Sequence, residues 1–214
     1  EKDDFEYALE KVVMWPEKKV KGIKEQEKKI IAYHELGHAV TWHLLTHTDP
    51  IEKISIARRG QALGLTRTTP EEDRNLYSKA KFLDELVSLL GGRAAEEIFV
   101  GKEFITTGAS NDFERATNIV KNMILKYGMD EEIGTVNYLN DHEENEFVRP
   151  YSEKMAELLD QKIKNYLDAA YTKSKKILTE NKDLIEKMCT ILLQKEYLSS
   201  EEFEKMMKGE DLSE

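Results

Sequence analysis

One run constrains this chain more than any other. In "IIAYHELGHAVTWHLL", residues 30–45, apolar side chains recur at Ile30, Ile31, Ala32, Leu36, Ala39, Val40, Leu44 and Leu45. That spacing has the period of an α-helix, and the apolar share predicts a long, largely buried one from Glu25 to about Leu45. The same run carries His34, Glu35 and His38. A buried helix tolerates two imidazoles and a carboxylate only when each has a polar partner. Residues i and i+4 stand one above the other on a helix face, so both rings can reach one cation, with Glu35 beside it.

The remainder of the chain supports a well-packed helical protein. Its 214 residues are 40% hydrophobic and 35% charged, with only 4 prolines, enough for one good core without covalent staples. Lys and Arg total 32 against 42 Asp and Glu, a formal charge of -10, so there is no basic field to attract nucleic acid or anionic lipid. The single cysteine, Cys189, lies among apolar residues at helical spacing and reads as a buried, inert thiol. No apolar run is long enough to cross a bilayer, and no signal pattern opens the chain. The absence of an initiator Met is what a piece of a longer protein would give.

Along the chain, residues Asp3 to Val13 predict a short amphipathic helix, followed by a polar connection. Alternation at Ile54, Ile56 and Ala57 predicts a strand that returns after Gly60 through "ALGLTRTT" as a second one, a small sheet. Thr69 to Glu72 has the form of a helix start, and Ser78 offers another for a helix running to about Phe99. Gly91 and Gly92 inside it cost on the order of 1 kcal/mol each in helix stability, a cost that implies close backbone packing there. "GKEFITTGAS" reads as a loop, "NDFERATNIVKNMILKYG" as a helix ended by Gly128, and "IGTVNYLN" as a short extended piece. "DHEENEF" reads as a solvated acidic loop. From about Ser152 the pattern is helical, with stops near Asn181 and Tyr197 and a capped restart at Ser200.

Two histidines four apart on a helix with a glutamate after the first match the zinc-peptidase arrangement. The imidazoles hold Zn²⁺, and the glutamate takes a proton from the water that attacks a carbonyl. The longer pattern His-Glu-x-x-His-x-x-Gly-x-x-His fails, because Thr41 and Leu44 occupy its glycine and final histidine places. A carboxylate from elsewhere is then required as third ligand. Glu96, Glu97 and Asp112 are all candidates, and spacing does not choose among them. His43, His47 and His142 read as surface or rim residues.

Five segments in order, "AYHELGHAV", "ARRGQALGLT", "LLGGRAAEEIF", "TTGASNDFERAT" and "LQKEYLSSEEF", resemble the FtsH family of membrane-anchored, ATP-dependent AAA zinc metalloproteases. The resemblance covers nearly the whole chain, from about Asp3 to Phe203. It implies a mainly α fold: a helical zincin-type peptidase domain with a small β-hairpin or sheet and a C-terminal helical bundle. Residues 1–24 would join a missing ATPase module, 25–140 would be the catalytic part, and about 150–207 the bundle, within a peptidase domain spanning 25–214.

The resemblance further implies His34, His38 and Asp112 as ligands of one Zn²⁺ per chain, Glu35 as general base and Glu96 as a support for a ligand. Ala62, Gly64, Leu65 and Thr66 would form the edge on which a protein substrate lies as an added strand. No phosphate loop occurs, so ATP would act only through the ATPase module of the same full-length chain. Six copies would form a homo-hexamer, on the cytoplasmic face of the membrane through transmembrane segments this chain does not contain. Trp15 and Ala57 depart from the family's usual glycine and proline, away from the metal. The rival reading is a non-catalytic helical oligomerisation or adaptor domain with a structural metal or none. A metal hydrolase of small molecules is a third, which would want a closed pocket in place of a strand edge.

Overall fold

The computed structural model describes residues 24–57, 64–68, 76–138, 151–210 and 212. The expected helix at Asp3 to Val13, the helix start at Thr69, the acidic loop 141–147, Trp15, His142 and Ala62 lie outside the described residues.

Helix α1, Glu25–His43, is the axis of the fold. Ala32, Leu36, Ala39 and Val40 are fully buried, so the helix is enclosed on several sides, as its apolar pattern requires. One side carries α2, Lys79–Leu89, whose start is capped by Ser78, its Oγ accepting from the backbone N–H of Lys81 at 3.2 Å. The predicted single helix to Phe99 is instead broken. After Leu90 the chain restarts as α3, Gly91–Ala95, and passes into a π turn, Glu96–Val100, closed by Gly101 N–H donating to the Glu96 carbonyl at 3.1 Å. The glycines explain the break's tightness. A Cβ at Gly37 would lie 2.4 Å from the Gly91 carbonyl oxygen, and one at Gly91 2.5 Å from that of Gly37, so α1 and α3 cross backbone to backbone.

A 3₁₀ turn, Lys102–Phe104, and a loop lead into α4, Ser110–Leu125. Gly128 takes a φ of +59 just beyond it. The expected extended piece at residues 133–140 is not a strand over its described part. Residues 133–138 form turns and irregular chain, tied to α4 by Tyr138 N–H donating to the Leu125 carbonyl at 2.8 Å.

The C-terminal helices α5, Glu153–Glu180, and α6, Lys182–Lys195, pack directly onto the earlier ones, α5 on α2, α3 and α4, and α6 on α1. Cys189 is buried on α6 beside Tyr33, and burial pushes its thiol up to about 11, which leaves it inert as expected. Glu196 then adopts a left-handed φ of 63, turning the chain into a strand that the sequence pattern did not predict.

That strand completes a sheet. β1, Ile51–Ser55, lies between β2, Leu65–Thr68, and β3, Tyr197–Ser199, both antiparallel to it. Ile54 faces Thr66 on one side and Leu198 on the other. α7, Ser200–Met207, follows with a capping box between Ser199 and Glu202, one residue before the predicted cap at Ser200. The outer edge of β2 pairs with no strand among the described residues.

Candidate metal centre

α1 presents His34 and His38 on one face, one turn apart, with their Nε2 atoms 3.0 Å from each other. α4 brings Asp112 in its first turn, with Oδ2 3.3 Å from His34 Nε2 and 3.4 Å from His38 Nε2. Among the described residues this is the one group of three or more potential ligands whose donor atoms converge.

The tautomers follow from the far sides of the rings. His34 Nδ1 lies 2.8 Å from Glu96 Oε1, and His38 Nδ1 lies 2.8 Å from the Ser88 carbonyl oxygen. Both acceptors lack protons, so each Nδ1 is the donor and each Nε2 of a neutral ring carries a lone pair. Two lone pairs facing each other at 3.0 Å, with a carboxylate oxygen across from both, ask for a cation between them. The spacing also fits a particular one. Donors tetrahedrally arranged around zinc at about 2.0–2.1 Å are separated by roughly 3.3 Å, against the 3.0, 3.3 and 3.4 Å found.

Burial opposes protonation of His34, but its hydrogen bonds to Asp112 and Glu96 and the nearby charge of Glu35 outweigh that and raise it to about 9, so with no metal bound a proton competes for Nε2 and zinc must displace it. Burial would raise Asp112, yet the hydrogen bonds of both histidines hold it well below the usual carboxylate range. The site is built to attract positive charge.

Glu96 is fully buried in the π turn. Besides His34 it accepts the Thr106 N–H at Oε2, 2.6 Å, while Arg93 Nη2 donates to the Thr106 carbonyl at 2.6 Å. It therefore sits on the Nδ1 side of His34, opposite the converging donors. Glu97, the neighbouring candidate, points elsewhere and accepts from Tyr171 and Lys175. His43 pairs with Glu204 and His47 with Asp84, both away from the cluster.

Glu35 is buried beside the pair. Thr66 Oγ1 lies 2.8 Å from Glu35 Oε2 and 3.1 Å from the Glu35 carbonyl oxygen, so β2 is tied to α1 at this point. Burial raises the Glu35 carboxyl, against the lowering effect of His38, His34 and Thr66. Gly64 lies against the same carboxylate, where a Cβ would come within 2.4 Å of Oε1. A Cβ on Gly92 would come within 2.5 Å of His34 Cε1 and 2.7 Å of His38 Nε2. His34, Glu35, His38, Gly64, Thr66, Glu96 and Asp112 line an open cleft of about 760 Å³ between β2 and α4. Leu65, of the expected substrate edge, also lines it.

Sequence reasoning did not find Ser88, Thr106 or the hydroxyl of Thr66 as partners of the site. Two of these act through backbone atoms and carry no side-chain signal, whereas the Gly91-Gly92 pair was a usable one.

Comparison with known proteins bears on the whole chain. The model of peptidase family M41 matches residues 21–206. The chain belongs to peptidase family M41. Among relatives, it is 41% identical to the ATP-dependent zinc metalloprotease FtsH 1 of Thermoanaerobacter sp. (strain X514), covering 98% of this chain and 35% of that protein. It is 43% identical to FtsH 2 of Petrotoga mobilis, over 96% of this chain and 34% of that one. The corresponding figures for FtsH of Rubrobacter xylanophilus are 40%, 96% and 32%. The chain thus spans about a third of the length of the curated relatives it matches. No helix among the described residues of this M41 chain is long and apolar enough to cross a membrane.

Proposed function

We propose that this M41 chain is a zinc-dependent endopeptidase domain that hydrolyses peptide bonds of unfolded or unfoldase-delivered proteins. The observation that carries the reading is the convergence of His34 Nε2, His38 Nε2 and Asp112 Oδ2 within 3.4 Å of one another, with Glu35 alongside. Those three atoms would hold one Zn²⁺. Zinc, when bound, supplies Lewis acidity, polarising the scissile carbonyl and making water acidic enough to lose a proton near neutrality. Glu35 accepts that proton, its raised affinity for it arising from burial, and delivers it to the departing amine. Thr66 holds Glu35 Oε2, and Glu96 fixes the tautomer and ring plane of His34.

The outer edge of β2, which pairs with no strand among the described residues, would bind an extended substrate backbone as an added strand through Gly64, Leu65 and Thr66, with Ala62, outside the described residues, as the fourth expected position. Such a site reads main chain and needs its substrate unfolded. Residues 1–24 would connect to an AAA ATPase module of the same full-length chain, and ATP would act there alone. The catalytic part would run from about 25 to 140 and the helical bundle from about 150 to 207. Assembly as a homo-hexamer, and anchoring at the cytoplasmic face of a membrane by segments outside this sequence, complete the reading.

The test is metal content together with digestion of casein, before and after chelation and after zinc is restored. Cleavage should follow zinc at one ion per chain, and Asp112→Ala should lose both. Full occupancy and activity in Asp112→Ala would overturn the ligand set.

A further inference from the structure

One charged pair in the cleft is not used by the hydrolysis. Glu85, on α2, lies one turn before Ser88, the acceptor of His38 Nδ1, and Arg115, on α4, lies one turn after Asp112. Both line the cleft. Arg115 Nη2 stands 3.6 Å from Glu85 Oε1, longer than the roughly 2.7–2.9 Å of a charge-assisted hydrogen bond. The guanidinium is largely in solvent, 55% exposed, while the carboxylate is held in the wall at 22%. Burial raises the Glu85 carboxyl, and Arg115 and Lys81 only partly offset that. The carboxylate is therefore under-compensated, and a second cation beside it would be welcome.

The charge balance of the cleft points the same way. Its described lining holds four carboxylates, Glu35, Glu85, Glu96 and Asp112, against the single guanidinium of Arg115. Glu35 is held by Thr66, Asp112 faces the histidines and Glu96 is backed by Arg93 at 3.9 Å, so Glu85 is the carboxylate of the wall whose partner stands off, at 3.6 Å. We infer that Glu85 makes this cleft select a lysine or arginine side chain close to the cleaved bond. This rests on the endopeptidase reading and names the substrate feature its cleft prefers. Reach allows it. Arg115 lies one helical turn, about 5.4 Å, from Asp112 and Glu85 stands beside it, while residues of an extended substrate follow at about 3.3 Å, so a side chain within three residues of the bond can come to Glu85.

The experiment uses the zinc-loaded chain and peptides that differ at one position, carrying Lys, Gln or Glu at each place from three before to three after the cleaved bond. At one position Lys should exceed Gln in kcat/KM by about fivefold, with Glu lowest, the scale of a partly screened ion pair. Glu85→Gln should bring the Lys-to-Gln ratio close to one, and Glu85→Lys should turn the preference toward Glu. Binding of labelled peptides to the Glu35→Gln protein supplies a second readout: the Lys peptide should bind more tightly than the Gln peptide, by a margin that salt erodes. A flat or acidic preference at every position, or a Lys preference that survives Glu85→Gln, overturns the inference while leaving the peptidase reading intact. Absence of any chelator-sensitive cleavage overturns that reading, and the inference with it.

Discussion

Gly92→Ala separates the metal centre from the fold that carries it. The added Cβ would stand 2.5 Å from His34 Cε1, 2.6 Å from His34 Nε2 and 2.7 Å from His38 Nε2. Non-bonded atoms settle near 3.5–4.0 Å, so each ring must retreat by about 1 Å. Neither ring is free to do so, because Nδ1 of His34 is held by Glu96 and Nδ1 of His38 by the Ser88 carbonyl, both at 2.8 Å. Giving up the His34–Glu96 bond costs roughly 1.5–3 kcal/mol, as for other hydrogen bonds to charged groups. Keeping it pushes the Nε2 atoms out of register. Either way zinc affinity should fall by about 10–100-fold, the range seen when the support of a ligand is lost. The backbone bears no such penalty: Gly92 lies within a helix, where alanine is favoured by about 1 kcal/mol. The assay is a zinc titration against a chromogenic chelator, paired with thermal melts of the metal-free protein followed by circular dichroism. Weakened zinc binding with a melt lowered by only a few degrees is the expected result. Zinc affinity within twofold of the parent would refute the claim that Gly92 clears the space for these rings.

The neighbouring glycine should behave in the opposite way. Gly37→Ala drives its Cβ to 2.4 Å from the Gly91 carbonyl oxygen, a backbone atom, so α1 and α3 must separate, and urea unfolding should show a loss of about 2–4 kcal/mol. Glu97 governs part of the acid limb of stability. Hydrogen bonds from Lys175 and Tyr171 depress its carboxyl from the ordinary 4.5 to about 2, so its contribution is complete above pH 4.5 and is lost as the pH falls toward 2. Glu97→Gln should cost about 1–2 kcal/mol at pH 7 after allowance for solvent screening, and flatten denaturation between those two pH values. A parental acid limb in that variant would remove Glu97 from the account.

Much of the site was legible because it is local. His34, Glu35 and His38 belong to one helical face, and a period of 3.6 residues places them together without knowledge of the rest. Gly91 and Gly92 were legible as a point of close backbone packing, and the crossing with Gly37 and the two imidazoles is what packs there. The third carboxylate was not legible from spacing. Glu96, Glu97 and Asp112 all lie far along the chain from His34, and their separation depends on a π turn that sends Glu96 to Nδ1 and Glu97 toward Lys175. Only the resemblance to FtsH proteases distinguished Asp112 beforehand. β3 escaped because three residues are too few to show alternation, and its pairing with β1 spans more than 140 positions. The stop near Tyr197 was correctly expected, and what the chain did after it was set by the open edge of β1.

The most direct test of the central claim is zinc content and casein cleavage measured on one sample of Glu35→Gln. The amide keeps the shape of the side chain and its contact with Thr66 but cannot accept the proton. One zinc per chain, with cleavage slowed by at least about 10²–10⁴-fold, is the expected result. Cleavage at the parental rate with zinc in place would contradict it.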